Sequence, residues 1–219
     1  SIIARVFGVG IETDAFFVAF KIPNLLRRIS AEGAFTQAFV PILSEYKNRK
    51  SKIEVSYLIN KVATLLGFFL VLVTLLGVFG APWLIYISAP GFVTDPEKFD
   101  LTVNLLQITF PYIFFISLVS MAGGILNTYG KFVVPAFTPV WLNISFILAA
   151  LCFSDLFEEP VTVLAWAVFF GGALQLFFQI PFLKQVGFLP KINLDIKDKG
   201  VWRVLKLMGP AILGVSVVQ

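Results

Sequence analysis

Apolar runs of about 20 residues or more recur along this chain, each long enough to cross a bilayer as a helix and longer than a buried core helix needs. They cover residues 13–46, 57–80, 101–129, 133–153 and 161–183. Barrel strands would instead alternate apolar and polar positions in pieces of about 10 residues. Composition agrees: 58% of the 219 residues are apolar, 14% are charged and mean hydropathy is +0.90, whereas soluble domains carry about 25% charged residues. The expected fold is therefore an all-α polytopic membrane protein with five complete transmembrane helices. Apolar stretches 1–8 and 206–219 read as the end of a preceding helix and the start of a following one, so the chain is expected to be part of a longer protein. No basic start followed by a short apolar core and a small-residue cleavage site marks a signal peptide.

Turn chemistry separates the runs: Gly8-Val-Gly10, Ala81-Pro82-Trp83, Ala89-Pro90-Gly91, Tyr129-Gly130-Lys131 and Glu159-Pro160. Basic residues mark alternate connections. Lys47, Arg49, Lys50, Lys52 and Lys61 surround the first, Lys131 the third, and Lys184, Lys191, Lys197, Lys199, Arg203 and Lys206 the fifth, which is twelve of the seventeen. The intervening connections hold Asp95, Glu97, Asp100, Asp155, Glu158 and Glu159, with Lys98 their one cation. Lys and Arg are retained on the cytoplasmic side, so loops 47–61, 130–132 and 184–206 are expected inside, and loops 81–100 and 154–160 outside. The net charge of +4 is this topological signal, and no nucleic-acid partner is expected. Trp83, Tyr86 and Trp202 sit at span ends, where amphipathic rings belong. Pro111, Pro135, Pro139 and Pro181 lie within or beside spans, where neighbours must satisfy the freed carbonyls. Asn143-Ile-Ser145 matches a glycosylation sequon but falls mid-span.

Histidine is absent and Cys152 is the sole cysteine, which removes the commonest acid/base and metal-ligating groups and any disulfide within the chain. Gly8-x-Gly10 lacks the third glycine of a dinucleotide fingerprint, and no phosphate-binding P-loop sequence occurs.

The first long run contains charges that lipid disfavours. At 100° per residue Asp14, Lys21, Arg28 and Glu32 fall within roughly 40° of one another, with Asn24 beside them and Arg27 about 100° round from Arg28. Arg28 and Glu32 are an i, i+4 pair able to neutralise each other. On a continuous helix Arg28 lies ~21 Å from Asp14 and ~28 Å from Lys47, far from either surface. An arginine facing lipid at that depth costs at least ~3 kcal/mol, so the stripe should face a protein interior or water-filled cavity. The other reading ends the span near Ser30, with 31–46 an interfacial helix held by Phe35, Phe39 and Ile42, Arg27 and Arg28 an inner-surface anchor, and Gly33 and Pro41 the break points. Both remain open on residue pattern alone. In the cavity reading, clustered guanidinium groups suit a phosphate-bearing lipid or another anion, because the planar fork binds phosphate oxygens bidentately. Asp14 and Glu32 then serve as gate latches or as counter-ions.

The segment Thr13-Asp-Ala-Phe-Phe-Val-Ala-Phe-Lys-Ile-Pro-Asn-Leu-Leu-Arg-Arg and its continuation Ala31-Glu-Gly-Ala-Phe-Thr-Gln-Ala-Phe-Val-Pro resemble the MurJ/MviN family of bacterial lipid II flippases. The likeness continues in order through Ala89-Pro-Gly-Phe92, Thr109-Phe-Pro-Tyr112, Gly124-Ile-Leu-Asn-Thr128, Leu142-Asn-Ile-Ser145, Leu164-Ala-Trp-Ala167, Gly171-Gly172 and Met208-Gly-Pro-Ala-Ile-Leu-Gly-Val-Ser216. The resemblance implies the first lobe of a two-lobed exporter fold in the multidrug/oligosaccharidyl-lipid/polysaccharide superfamily. It also implies transport of the undecaprenyl-diphosphate-linked muropeptide, lipid II, across the bacterial inner membrane by alternating access. By the same likeness Arg27 contacts the diphosphate beside its equally basic neighbour Arg28, and Asp14 and Glu32 are gate or counter-ion positions; Asn24 and Lys21, on the polar stripe, are the further expected substrate-binding positions. Membrane lipids are the other partners, the whole protein is expected to be monomeric, and no cofactor is expected beyond a coupling ion of unknown identity.

Two competitors within the superfamily export other polyprenyl-diphosphate glycans or cationic drugs, and the Arg27-Arg28 pair disfavours the drug exporter. A membrane-embedded enzyme on polyprenyl phosphates would need placed carboxylates or histidines, and the acids of the acidic loops show no recognisable ligand spacing. A scaffold that binds lipid without moving it is the third alternative.

Overall fold

The computed structural model describes residues 11–27, 35–153, 159–193 and 200–208. Among them the secondary structure is helical, with no strand. In chain order the helices are α1 (Ile11–Arg27), α2 (Thr36–Arg49), α3 (Lys52–Phe79), α4 (Ala81–Ser88), a 3₁₀ turn (Pro90–Phe92), α5 (Pro96–Thr109), α6 (Tyr112–Thr128), α7 (Val133–Phe137), α8 (Pro139–Cys152) and α9 (Thr162–Val186). A last helical segment, α10, covers residues 200–208. Among the described residues, four stretches are long and apolar enough to span a membrane: α3, α5 with α6 as one run of 33 residues, α7 with α8, and α9. The fifth expected span contributes α1 and α2, on either side of residues 28–34, which lie outside the described residues.

Local sequence sets these boundaries. Ser51 and Glu54 form a capping box at the start of α3, where the Glu54 N–H donates to Ser51 Oγ at 3.3 Å and the Ser51 N–H to the Glu54 carboxylate at 3.0 Å. That satisfies two of the donors a helix start leaves unpaired. Asp95 caps α5 by accepting from the Lys98 N–H at 3.2 Å, so the helix starts five residues before the apolar run at Leu101. Gly187 ends α9 in the left-handed region, at φ 80°, a conformation that favours glycine. Pro82 reads as turn punctuation, yet it stands in the first turn of α4, where a missing N–H costs nothing.

Among the described residues, two large apolar cores lie along the bundle, with a small third cluster of Ala149, Val163 and Ala167 between α8 and α9. Near one end Phe16, Ile85, Leu105, Leu106, Phe110, Ile113 and Leu164 pack together from α1, α4, α5, α6 and α9. Near the other, Phe39, Leu43, Leu58, Ile59, Ile125, Leu126, Leu183, Phe188 and Val204 join α2, α3, α6, α9 and α10. Close helix approach depends on glycine. A Cβ at Gly171 would lie 2.7 Å from Leu142 of α8, and one at Gly172 would lie 2.8 Å from Tyr112 of α6. The pair thus notches α9 on two sides, the small-residue packing of membrane helices. Gly77 likewise leaves room for the Phe110 ring against α3. The outer surface is apolar: Phe68, Leu72, Leu76 and Phe79 of α3 and Phe170 and Phe177 of α9 are exposed, as helices bathed in lipid require.

The basic connections converge at one end. Lys47 donates to the Thr128 carbonyl at 2.7 Å and stands 4.9 Å from the Tyr129 ring centroid, while Lys52 stands over Phe188. After α9 the chain turns back along α3: the Lys191 N–H donates to Asn60 Oδ1 and the Asn193 N–H to Thr64 Oγ1, each at 2.8 Å. Arg203 of α10 then grips Glu45 of α2 bidentately, at 3.2 and 2.8 Å. That pairing, through its hydrogen bonds and then its charge, raises the Arg203 pKa further above its ordinary value. Trp83, Tyr86 and Trp202 are all exposed.

Candidate functional site: the polar face of the first helix

Helix α1 is amphipathic in an unusual sense for a membrane helix. Thr13, Ala15, Phe16, Ala19 and Pro23 are buried, and the helix lies chiefly along α5, with Phe16 edge-on to Phe146 of α8 and Phe20 against Tyr112 of α6. The opposite face carries Asp14, Phe17, Lys21 and Leu25, all exposed. Their i, i+3 and i, i+4 spacing makes one continuous face, so the expected stripe alternates charge with apolar surface.

Asn24 sits on the flank of that face, while Arg27 lies about 120° round from Lys21, in line with Phe16 and Phe20; both are half-buried. The Arg27 Nε–H donates to Asn24 Oδ1 at 3.0 Å, which ties the guanidinium back along its own helix and restricts its rotamers. At the other end of the face Asp14 lies 4.0 Å from Lys98 Nζ of α5. Lys98 is much less exposed than Asp14, 17% against 66%, and its ammonium is 4.1 Å from the Phe92 ring centroid, so the aromatic ring and the carboxylate share one cation. Of the residues expected to form the site, the structure places Asp14, Lys21 and Asn24 on or beside one face of α1 and links Arg27 to it through Asn24. Arg28 and Glu32 lie outside the described residues, and so does their pairing.

A second polar region was not anticipated from the sequence. A cleft of about 280 Å³ is lined by Thr36 of α2, Ser120 and Asn127 of α6, Thr138 before α8, and Gln175 and Gln179 of α9. Its polarity begins with Pro139. Pro139 has no N–H to offer the Pro135 carbonyl, and the Thr138 N–H donates there instead, at 3.2 Å. The Val134 carbonyl thereby loses its usual backbone donor and takes the Thr138 hydroxyl at 3.0 Å. With its proton committed, Thr138 Oγ can only accept, and Gln179 Nε2 donates to it at 2.9 Å. That chain fixes the orientation of the Gln179 carboxamide and points its oxygen away from Thr138. Thr36 and Ser120 hydroxyls meet across α2 and α6 at 3.0 Å. The sequence signal was the i, i+4 glutamine pair in an otherwise apolar span.

A larger cavity, about 570 Å³ between α8 and α9, is walled by Leu148, Phe153, Trp166, Phe170 and Leu174 and has no charged lining. It offers nothing to a phosphate. No group of three or more His, Cys, Asp or Glu residues able to hold a metal occurs among the described residues.

Comparison with known proteins fits this architecture. The family model for the lipid II flippase MurJ matches residues 3–219. A probable lipid II flippase MurJ of Buchnera aphidicola subsp. Acyrthosiphon pisum (strain APS) is 48% identical over 218 residues, covering 100% of this chain and 43% of the relative. The lipid II flippase MurJ of Burkholderia cenocepacia is also 48% identical, again over 100% of this chain and 43% of its own length. A solved structure of lipid II flippase MurJ in an inward closed conformation superposes with a TM-score of 0.79 at 31% identity, over 100% of this chain and 44% of that one. The chain thus spans less than half the length of these relatives. With a family model matched over nearly every residue, this chain belongs to the lipid II flippase MurJ family.

Proposed function

We propose that this chain forms one lobe of a flippase that carries lipid II from the cytoplasmic to the outer leaflet of the bacterial inner membrane. The observation that carries the reading is the mixed face of α1. Asp14 and Lys21 share a face with exposed Phe17 and Leu25, and Asn24 beside it holds the Arg27 guanidinium, while the opposite face is spent on packing. A substrate with an ionised diphosphate and a polyprenyl tail needs both kinds of surface side by side. Arg27, with Arg28 as its neighbour in sequence, supplies the donors for phosphate oxygens. Lys21 and Asn24 extend the polar track, and Asp14 and Glu32 hold the cations when substrate is absent.

No covalent step is required. Rocking of this lobe against a second one exposes the α1 face alternately to each leaflet. The basic end, with loops 47–61, 130–132 and 184–206, lies in the cytoplasm, and loops 81–100 and 154–160 lie outside. The whole protein acts as a monomer.

The test is complementation. Arg27→Ala and Arg28→Ala are introduced separately into the full-length protein and asked to rescue cells depleted of their own flippase. Loss of a charged hydrogen bond to the diphosphate is worth about 1.5–3 kcal/mol, so each variant at normal abundance should rescue poorly and let lipid II accumulate in the inner leaflet. Full rescue by both would remove the arginine site.

A further inference from the structure

Beyond α9 the chain stays against the bundle. Gly187 turns it, Phe188 is buried with its ring centroid 4.7 Å from that of Tyr129, and residues 189–193 run along α3 without helical structure. Irregular backbone beside a membrane span needs its polar groups paired. Here the Lys191 and Asn193 N–H groups donate to Asn60 and Thr64, and Pro190 has no N–H to pair. The segment is therefore fixed in place, with Lys191 and Ile192 exposed.

Beneath it lies a cavity of about 270 Å³ between α3, α6 and α9, walled by Ala63, Gly67, Leu118, Ala122, Leu176 and Ile180. Gly67 makes the room, since a Cβ there would meet nothing within 4 Å. Gly67, Leu118, Leu176 and Ile180 are half-buried, while Phe68 and Phe177, next in sequence to Gly67 and Leu176, are exposed, so the cavity opens on the lipid-facing surface. The Thr64 hydroxyl in its wall already donates to the Asn60 carbonyl and accepts from the Asn193 N–H, each at 2.8 Å. Below Lys191 the wall thus offers water no free polar side chain, and hydrocarbon suits it, an apolar cavity of roughly 150 Å³ being enough for benzene.

The mouth is basic. Among the described lining residues Lys191 alone is charged, and exposed Lys184 follows Ile180 by four residues, on the same face of α9. Among the described residues no carboxylate pairs with either ammonium. Lys191 is held at the level of Asn60, about 10 Å of helix rise from Gly67, so charge and apolar slot are spaced as a lipid's headgroup and upper chain are. A zwitterionic headgroup would bring a second cation against the two lysines, whereas an anionic one neutralises them.

We infer that this groove holds one anionic phospholipid, with an acyl chain against Gly67 under residues 189–192 and its phosphate against Lys184 and Lys191. The bound lipid joins the segment that leads to α10 to both α3 and α9. No residue of α1 lines the groove, so the site is separate from the face proposed for lipid II and does not rest on that reading.

The experiment gives the purified full-length protein equal amounts of phosphatidylglycerol and phosphatidylcholine with identical chains, and counts the lipids retained by native mass spectrometry. One phosphatidylglycerol should be held in preference. Lys184→Ala and Lys191→Ala should each lower its retention about fivefold, the worth of one lysine beside an anionic headgroup. Gly67→Leu should displace it by filling the slot with every charge intact, and Lys131→Ala, exposed at the basic end but outside the cavity lining, should keep it. Absence of a preference, or lysine variants with full retention, would overturn the site. An equal loss in Lys131→Ala would trace the binding to the diffuse charge of the basic end, and full retention in Gly67→Leu would leave a headgroup contact with no seated chain; either result contradicts the proposal. Should Gly67→Leu fail to fold, electron cryomicroscopy of the unmodified protein in phosphatidylglycerol nanodiscs decides. An acyl chain between α3 and α9 that ends in a phosphate at Lys191 supports the site, and an empty groove, a protein helix or lipid II there contradicts it.

Discussion

Arg27 shows how much a single side chain's setting can say. Its Nε–H is tethered to Asn24, so the guanidinium is oriented before any ligand arrives, and that preorganisation reduces the entropy lost on binding. Asn24→Leu should therefore weaken rescue less than Arg27→Ala does, by about 1 kcal/mol or a few-fold, and Arg27→Lys should restore charge without the planar fork. Quantifying lipid II accumulation across the three variants checks the order. Lys98 is the opposite case. Its contact with the largely exposed Asp14 is 4.0 Å long, so Lys98→Ala should change stability by no more than about 1 kcal/mol, measurable as a Tm shift of a few degrees at most. Sequence periodicity found Asp14, Lys21 and Asn24 because a 100° repeat places them without knowledge of neighbours. It could not find Lys98, 84 residues away, because that contact is made by the packing of α1 on α5.

Among the helices, length and apolarity made the spans legible and the prolines marked where carbonyls would be freed, but not which group takes each one. The run at 133–153 reads as one helix and spans as one, with its hydrogen-bond ladder interrupted at Thr138 between α7 and α8, where the freed Val134 carbonyl is recaptured by a threonine hydroxyl. Residues 101–129 likewise part at Phe110-Pro111 into α5 and α6. Glycine at helix contacts gives a paired prediction. Nothing lies within 4 Å of a Cβ added at Gly67, in the interior of α3, whereas one at Gly171 meets Leu142 at 2.7 Å. Gly67→Ala should stabilise by up to about 1 kcal/mol through helix propensity. Gly171→Ala should destabilise by about 1–3 kcal/mol through overpacking. Denaturation of the two variants in one detergent should give Tm shifts of opposite sign.

At the scale of the whole molecule, two cores stacked along the bundle leave a basic end closed by α10 and a mixed face on α1. Cys152 ends α8 and is exposed, close in sequence to the acidic 154–160 loop, which makes it a native probe of sidedness. A membrane-impermeant maleimide should label it in intact spheroplasts, with Cys152→Ala as the control, and labelling only after lysis would reverse the orientation. The central claim is that the exposed face of α1 meets the lipid-linked substrate, and site-specific photo-crosslinking in living cells tests it most directly. With a benzophenone amino acid in place of Phe17 or Lys21 on that face, or Leu72 on the apolar outer surface of α3, the account predicts lipid II adducts at 17 and 21 and none above background at 72. Adducts at 72 equal to those at 17 and 21, or none at 17 and 21 in variants that still support growth, would contradict it.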